Sequence, residues 1–145
     1  MSLSTNSSEA RTVALDDARR ALDGAIAKAT QIGVPMNVAI VDAGGNLLAF
    51  ARMDDAWLGS IDIAQNKAYT ARAFDMPTKD LAPLALPDGP LYGIEASNHG
   101  RLIVFAGGIP LTSAGRVVGA IGVSGGTVEQ DQAVAEAGEA AFASA

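Results

Sequence analysis

The sequence predicts an α+β fold, an antiparallel sheet of about four to five strands with helices packed against it. Two observations lead there. Helix and strand signals follow the order helix, hairpin, helix, irregular stretch, hairpin, helix, which pairs neighbouring strands instead of alternating strand with helix. The chain has 145 residues, 49% of them hydrophobic, enough for one core, so a single domain is expected over residues 12–145 behind a flexible tail of residues 1–11.

The first helix rests on Leu15, Ala18, Leu22, Ala25, Ile26 and Ala29 at helical spacing, with Asp16 and Asp17 facing the positive end of the dipole and Gly33 and Pro35 ending it. Met36–Val41 and Leu47–Met53 are apolar, β-branched-rich runs around the turn-forming DAGGN, a first hairpin. A second helix is expected from Ser60, which can cap it, with Asp62 in the first turn and a small-residue stripe of Ile61, Ala64, Ala68 and Ala71 suited to close packing on a sheet.

Between Met76 and Tyr92 stand Pro77, Pro83, Pro87 and Pro90, so that stretch is expected to be irregular apart from one helical turn around Lys79–Leu84. Leu102–Phe105 and Ile109–Leu111 flank the pair Gly107 and Gly108, Thr112–Gly115 turns, and Arg116–Ser124 returns. This reads as a second hairpin kinked at the glycines. A last helix starts near Thr127.

Charge and composition exclude several functions. A net charge of −6 and a pI near 4.5, without a local Lys/Arg cluster, argue against nucleic acid. The absence of cysteine removes disulfides, thiol catalysis and cysteine-based metal sites. The opening MSLSTNSSEA is polar with its first cation at Arg11, so a cytoplasmic chain without a secretory leader is expected. No apolar run approaches the roughly 20 residues that cross a bilayer, so no membrane partner is expected.

The stretch GVSGGTVEQD contains G-x-S-x-G, the pattern of a hydrolase nucleophile elbow. The triad partners of such a serine follow it in the chain, yet the one histidine, His99, precedes Ser124. The glycines are better explained by a sharp strand-to-helix turn at Gly125 and Gly126, followed by a capping box of Thr127 and Gln130, with Glu129 and Asp131 in the first turn. Ser124 is then at most a pocket-lining hydroxyl.

Taken together, VDAGGNLLAFARMD, GSIDIAQNKAYTARAF, LYGIEASNHG, FAGGIPL and GRVVGAIGVSGGTVEQDQAVAEAG resemble the GlcG/HbpS-like, or haem-degrading domain, family, a domain also found at the C-terminus of PduO-type corrinoid adenosyltransferases. The resemblance spans roughly residues 12–142 and implies a profilin-like fold and homo-oligomers, from dimers to octamers. It implies a small-molecule binding protein with haem or another tetrapyrrole as ligand. The alternative is an enzyme or accessory protein of a hydroxy-acid, diol or aromatic-compound catabolic pathway, so enzymatic activity stays open.

Some members ligate iron through a histidine on the first helix, and Leu15–Ile32 contains none. Any histidine ligation here uses His99, the candidate metal ligand; Met36, Met53, Met76, Tyr69 and Tyr92 read first as packing residues. Arg52, Lys67, Arg72, Arg101 and Arg116 are the cations available to propionates. Lys67 either points into a cleft between helix and sheet or, the preferred reading, snorkels at the surface. Asp42 reads as a turn residue. Glu95 and His99 are the acid–base candidates of the enzyme reading. The expected ligand-binding set is Arg52, Lys67, His99, Gly107, Gly108, Ser124, Gly125, Gly126 and Thr127, in a pocket between the second helix, the proline-rich loop and the glycine pairs.

Overall fold

The structure, a computed structural model, describes residues 11–144. The expected N-terminal tail lies, but for Arg11, outside the described residues. Helix α1 spans Leu15–Ile32, strands β1 and β2 Asn37–Asp42 and Leu47–Arg52, helix α2 Gly59–Phe74, and the short helix α3 Thr78–Leu81. Strands β3 and β4 span Gly108–Ser113 and Arg116–Ser124, and helix α4 spans Val128–Ala143. The four strands form one antiparallel sheet in the order β2-β1-β4-β3.

Alternation along the strands sorts the core into two layers. Val38, Ile40, Leu111, Ile121 and Val123 face α1 and α4, which supply Ala18, Ala21, Ala25, Ala29, Val134 and Ala135. Ala39, Val41 and Ala120 face the other way, onto Ala64, Ala68 and Ala71 of α2. The expected small-residue stripe is thus what α2 sets on the sheet. Its alanines bring the helix so close that β4 carries a glycine, Gly122, where a Cβ would lie 2.0 Å from the Ala64 carbonyl oxygen.

Local chemistry fixes the ends. Gly33, at φ 74°, closes α1 in the left-handed conformation. The Asp42 carboxylate accepts from the Gly44 and Asn46 N–H groups, at 2.9 Å each, and so makes the β1–β2 turn, as its position before the glycines predicts. Ala114 and Gly115, at φ 52° and 77°, form the tight turn between β3 and β4.

Three expectations are corrected. The strand over Leu102–Phe105 does not form, because the Ile103 N–H is taken by the Thr70 hydroxyl at 3.0 Å. Gly107 and Gly108 therefore lead into β3 instead of kinking it, and the register shift falls between Leu111 and Thr112. Ser60 does not cap α2. The helix starts at Gly59, the Ser60 N–H goes to the Trp57 carbonyl, and the serine is buried. The proline-rich stretch does hold one helical turn, α3, followed by a 3₁₀ turn at Pro83–Ala85, and two further 3₁₀ turns lie at Ile94–Ala96 and Asn98–Gly100.

The capping box at α4 forms as expected. Gln130 N–H donates to the Thr127 hydroxyl at 3.1 Å, and the Gln130 side chain accepts from Thr127 N–H at 2.9 Å. Thr127→Ala is expected to lower stability by about 1 kcal/mol, seen as a lower urea midpoint at unchanged slope. An unchanged midpoint would show that α4 is held without its cap.

Candidate functional site

The residues expected to bind a ligand separate into three places. At the junction of α2, β4 and α4, Lys67 is fully buried. Its ammonium donates to the Val123 carbonyl at 2.8 Å and to Asp131 Oδ2 at 2.9 Å, while the Phe105 ring covers it with its centroid 4.9 Å away. The surface-lysine reading is thereby replaced. Asp131 is 3% exposed and accepts from the Gly126 N–H at 2.9 Å through its other oxygen. Burial holds the Lys67 amine below its ordinary range and pushes the Asp131 carboxyl up, and each partner offsets part of the other's shift.

Gly107 and Gly108 belong to this junction. A Cβ on Gly107 would sit 2.7 Å from the Lys67 amine, and one on Gly108 2.5 Å from the Lys67 carbonyl oxygen. Glycine is needed at both for close approach, and Gly107, at φ 123°, also for its backbone. Gly108 N–H donates to the Thr78 hydroxyl at 2.9 Å, which ties α3 to the same point.

Gly125, Gly126 and Thr127 line a second place, an open cleft of about 400 Å³ with Pro35, Trp57 and Gln130. Trp57 is 66% exposed, and the residue that follows it, Leu58, 73%. Beneath it, Met36 is buried against the two glycines and Asn37 is fully buried, donating to the Trp57 carbonyl. Ser124 pairs with Asn37 across the strands and is buried. Arg52 lies nearby in the chain, its guanidinium held by the Ala56 carbonyl at 2.8 and 3.1 Å.

The third place holds His99. Asn98 and His99, at φ 52° and 57°, and Gly100, at 74°, are three successive left-handed residues, strained at the first two. This turn displays the imidazole at the surface. Its anchor is the Asn98 side chain, which accepts from the Tyr69 hydroxyl at 2.7 Å, while Arg101 stacks on the Tyr69 ring at 3.8 Å and donates to its hydroxyl at 3.0 Å. A cleft of about 390 Å³ opens here, lined by Gly44, Gly45, Tyr69, Arg72, Phe74 and Asn98 among others. Arg72 is braced by the Ala43 carbonyl and Asp75. Glu95 is exposed on the preceding 3₁₀ turn.

The structure thus brings Lys67, Gly107, Gly108 and Asp131 together and puts Gly125–Thr127 beside them. His99 and Glu95 share a surface loop anchored on Tyr69, and Arg52 stands on the edge of β2. Sequence reasoning missed Asp131 as the partner of Lys67, Phe105 as its cover, and the Tyr69–Asn98–Arg101 network. One signal was available for the first: Ser60, Ala64, Lys67 and Ala71 continue the buried face of α2 at helical spacing, so Lys67 sits within the stripe.

Among the described residues no group of three or more His, Asp or Glu side chains converges to hold a metal ion, and no helix is long and apolar enough to cross a membrane. The cleft itself offers the Arg72 guanidinium and the rings of Tyr69 and Phe74, groups chemically suited to a carboxylate and a flat apolar ligand, while His99 is exposed one residue beyond its lining residue Asn98 and Arg101 stacks on Tyr69.

Residues 13–140 match the family model of the haem degrading protein HbpS-like. The chain is 44% identical over 130 residues to an uncharacterized 15.0 kDa protein in the dhaT-dhaS intergenic region of Citrobacter freundii, covering 90% of this chain and 92% of that one. Among solved structures it is similar to Klebsiella pneumoniae protein ORFY, with 39% identity, a TM-score of 0.92 and 99% of each chain covered. It is also similar to PduOC in a haem complex, with 38% identity, a TM-score of 0.86, and 89% and 94% covered. With the match running from Val13 at the start of the first core layer to Ala140 in α4, the chain belongs to the HbpS-like family.

Proposed function

We propose that this chain is a cytoplasmic small-molecule binding protein that takes up haem or a related tetrapyrrole and works as a homo-oligomer. The observation that carries the reading is the composition of the cleft beside the turn that bears His99. The only imidazole of the chain is exposed on the turn whose Asn98 lines this cleft with Arg72, Tyr69 and Phe74, and Arg101 stacks on Tyr69. Arg72 and Arg101 each keep a guanidinium nitrogen beyond those used in their internal bonds, so both can also meet a propionate. Phe74, 37% exposed, offers an apolar face. Haem would supply iron and a planar macrocycle, and His99 is the side chain that would ligate it. The similarity to PduOC, solved with haem, supports the same reading. Exposed Trp57, Leu58, Leu86 and Tyr92 support an oligomer.

Titration of the purified protein with hemin is expected to give a saturating Soret change at micromolar concentration and an integral haem-to-subunit ratio. His99→Ala is expected to weaken it at least about tenfold, or 1.4 kcal/mol, with a changed band position. A weak, unsaturating change in the unaltered protein overturns the reading; saturation that His99→Ala leaves untouched removes His99 from it.

A further inference from the structure

The Lys67 amine has a chemistry that haem binding does not use. It is enclosed by the Val123 carbonyl, Asp131 and the ring of Phe105. The first two are fixed parts of β4 and α4. Phe105 is not, for it is 40% exposed and belongs to residues 102–107, a segment without helix or strand. A cleft of about 340 Å³, lined by Ala106, Val128, Gln132 and Ala133 with Lys79 and Glu129 among its other residues, adjoins that segment. Gln132 accepts the Gly107 N–H at 3.2 Å at the base of the segment. The ring that covers the desolvated amine is thus carried by this segment, one residue before Ala106, which lines the cavity. Gly107 leaves no side chain on that side of the nitrogen.

We propose that Lys67 is a reactive amine that captures small aliphatic aldehydes as an imine, entering from the Phe105 side with Asp131 as the proton shuttle. The ammonium passes a proton to Asp131 Oδ2, 2.9 Å away, and the freed nitrogen pair attacks the carbonyl carbon. The C–O π pair moves to oxygen, which takes the proton from Asp131. Asp131 then removes a proton from the new C–N nitrogen and returns it to the hydroxyl, which leaves as water. The product is a protonated imine facing the Asp131 carboxylate. Ammonium and aldehyde thus become iminium and water, with atoms and charge balanced and no oxidant or reductant needed.

Burial supports this chemistry by favouring the neutral amine, as in other lysines that form imines. The close backbone around the nitrogen, from Gly107 to Val123, sets the ligand class as a short-chain aldehyde and not an aromatic one.

The test is reductive trapping of the folded wild-type protein with acetaldehyde and cyanoborohydride at neutral pH, read by peptide mapping. The chain has three lysines, Lys28, Lys67 and Lys79, so the other two are internal standards. Lys67 is expected to be alkylated several-fold faster than either, because burial favours its neutral, nucleophilic form. Phe105→Ala is expected to raise the Lys67 rate several-fold and leave Lys28 and Lys79 unchanged. Alkylation confined to Lys28 and Lys79 in both proteins overturns the proposal, as does a Lys67 rate that only matches theirs. Neither outcome touches the hemin titration, which reads a separate cleft.

Discussion

Asp131→Ala is expected to destabilise the fold by about 3–5 kcal/mol. The substitution leaves the Lys67 ammonium with the Val123 carbonyl and the Phe105 ring, but no counter-charge, in a place with no exposure. It also strips the Gly126 N–H of its acceptor at the turn into α4. Replacing both partners by apolar groups of similar size, Lys67→Met with Asp131→Leu, is expected to fall within about 1 kcal/mol of the unaltered protein or above it, because both desolvation costs then disappear. Urea unfolding of the two singles and the double closes the cycle. A loss below about 1 kcal/mol for Asp131→Ala would mean that Lys67 is neutral in the folded chain.

The pH dependence follows from the two directions. Asp131 titrates above its ordinary 3.8 in the fold, so the contribution of its neutral form is complete below that value and is lost as pH rises through the raised one. Lys67 titrates below its ordinary 10.5, so the contribution of its neutral form is complete above that value and is lost as pH falls through the lowered one. Between them the ionised pair carries both costs. Asp131→Ala removes the carboxylate that raises Lys67 again, so its stability is expected to climb with rising pH more steeply than that of the unaltered protein. The double variant is expected to be flatter than either.

The layers of this fold were legible because each rests on local periodicity: the alanine stripe of α2, the DAGGN turn and the capping box all name their own geometry. The pair of Lys67 and Asp131 was not, because its members stand 64 positions apart on helices that cover opposite faces of the sheet, and only the fold brings them together beside Val123 of β4. Asp131 also had a sufficient local role at a helix start, which concealed its second one. The missing strand at Leu102–Phe105 has a similar origin. Its apolar run is extended enough to pair, but the Thr70 hydroxyl on α2 claims the Ile103 N–H first. In the same way the αL turn at Asn98 and His99 was hidden, since its anchor, Tyr69, lies on another element.

Gly122→Ala is expected to cost about 3 kcal/mol or more, at the upper end for an overpacked core. The new methyl would lie 2.0 Å from the Ala64 carbonyl oxygen and 2.5 Å from the Ala68 nitrogen, both backbone atoms of α2. No rotamer change relieves such a contact; the helix must lift. It cannot lift freely, because Lys67, one residue before Ala68, is bonded to Val123 next to the substituted position and to Asp131 on α4. Thr70, a turn further on, receives the Ile103 N–H. Lifting α2 therefore lengthens the buried pair as well as opening the alanine seam. Gly59→Ala, on the same helix where a Cβ meets nothing within 4 Å, serves as the control and is expected to change stability by less than about 1 kcal/mol. If the two variants unfold at the same urea concentration, α2 does not rest on β4 as closely as this geometry requires. If Gly122→Ala is destabilised and also alkylates faster at Lys67, the seam that holds the helix down is what keeps the amine enclosed.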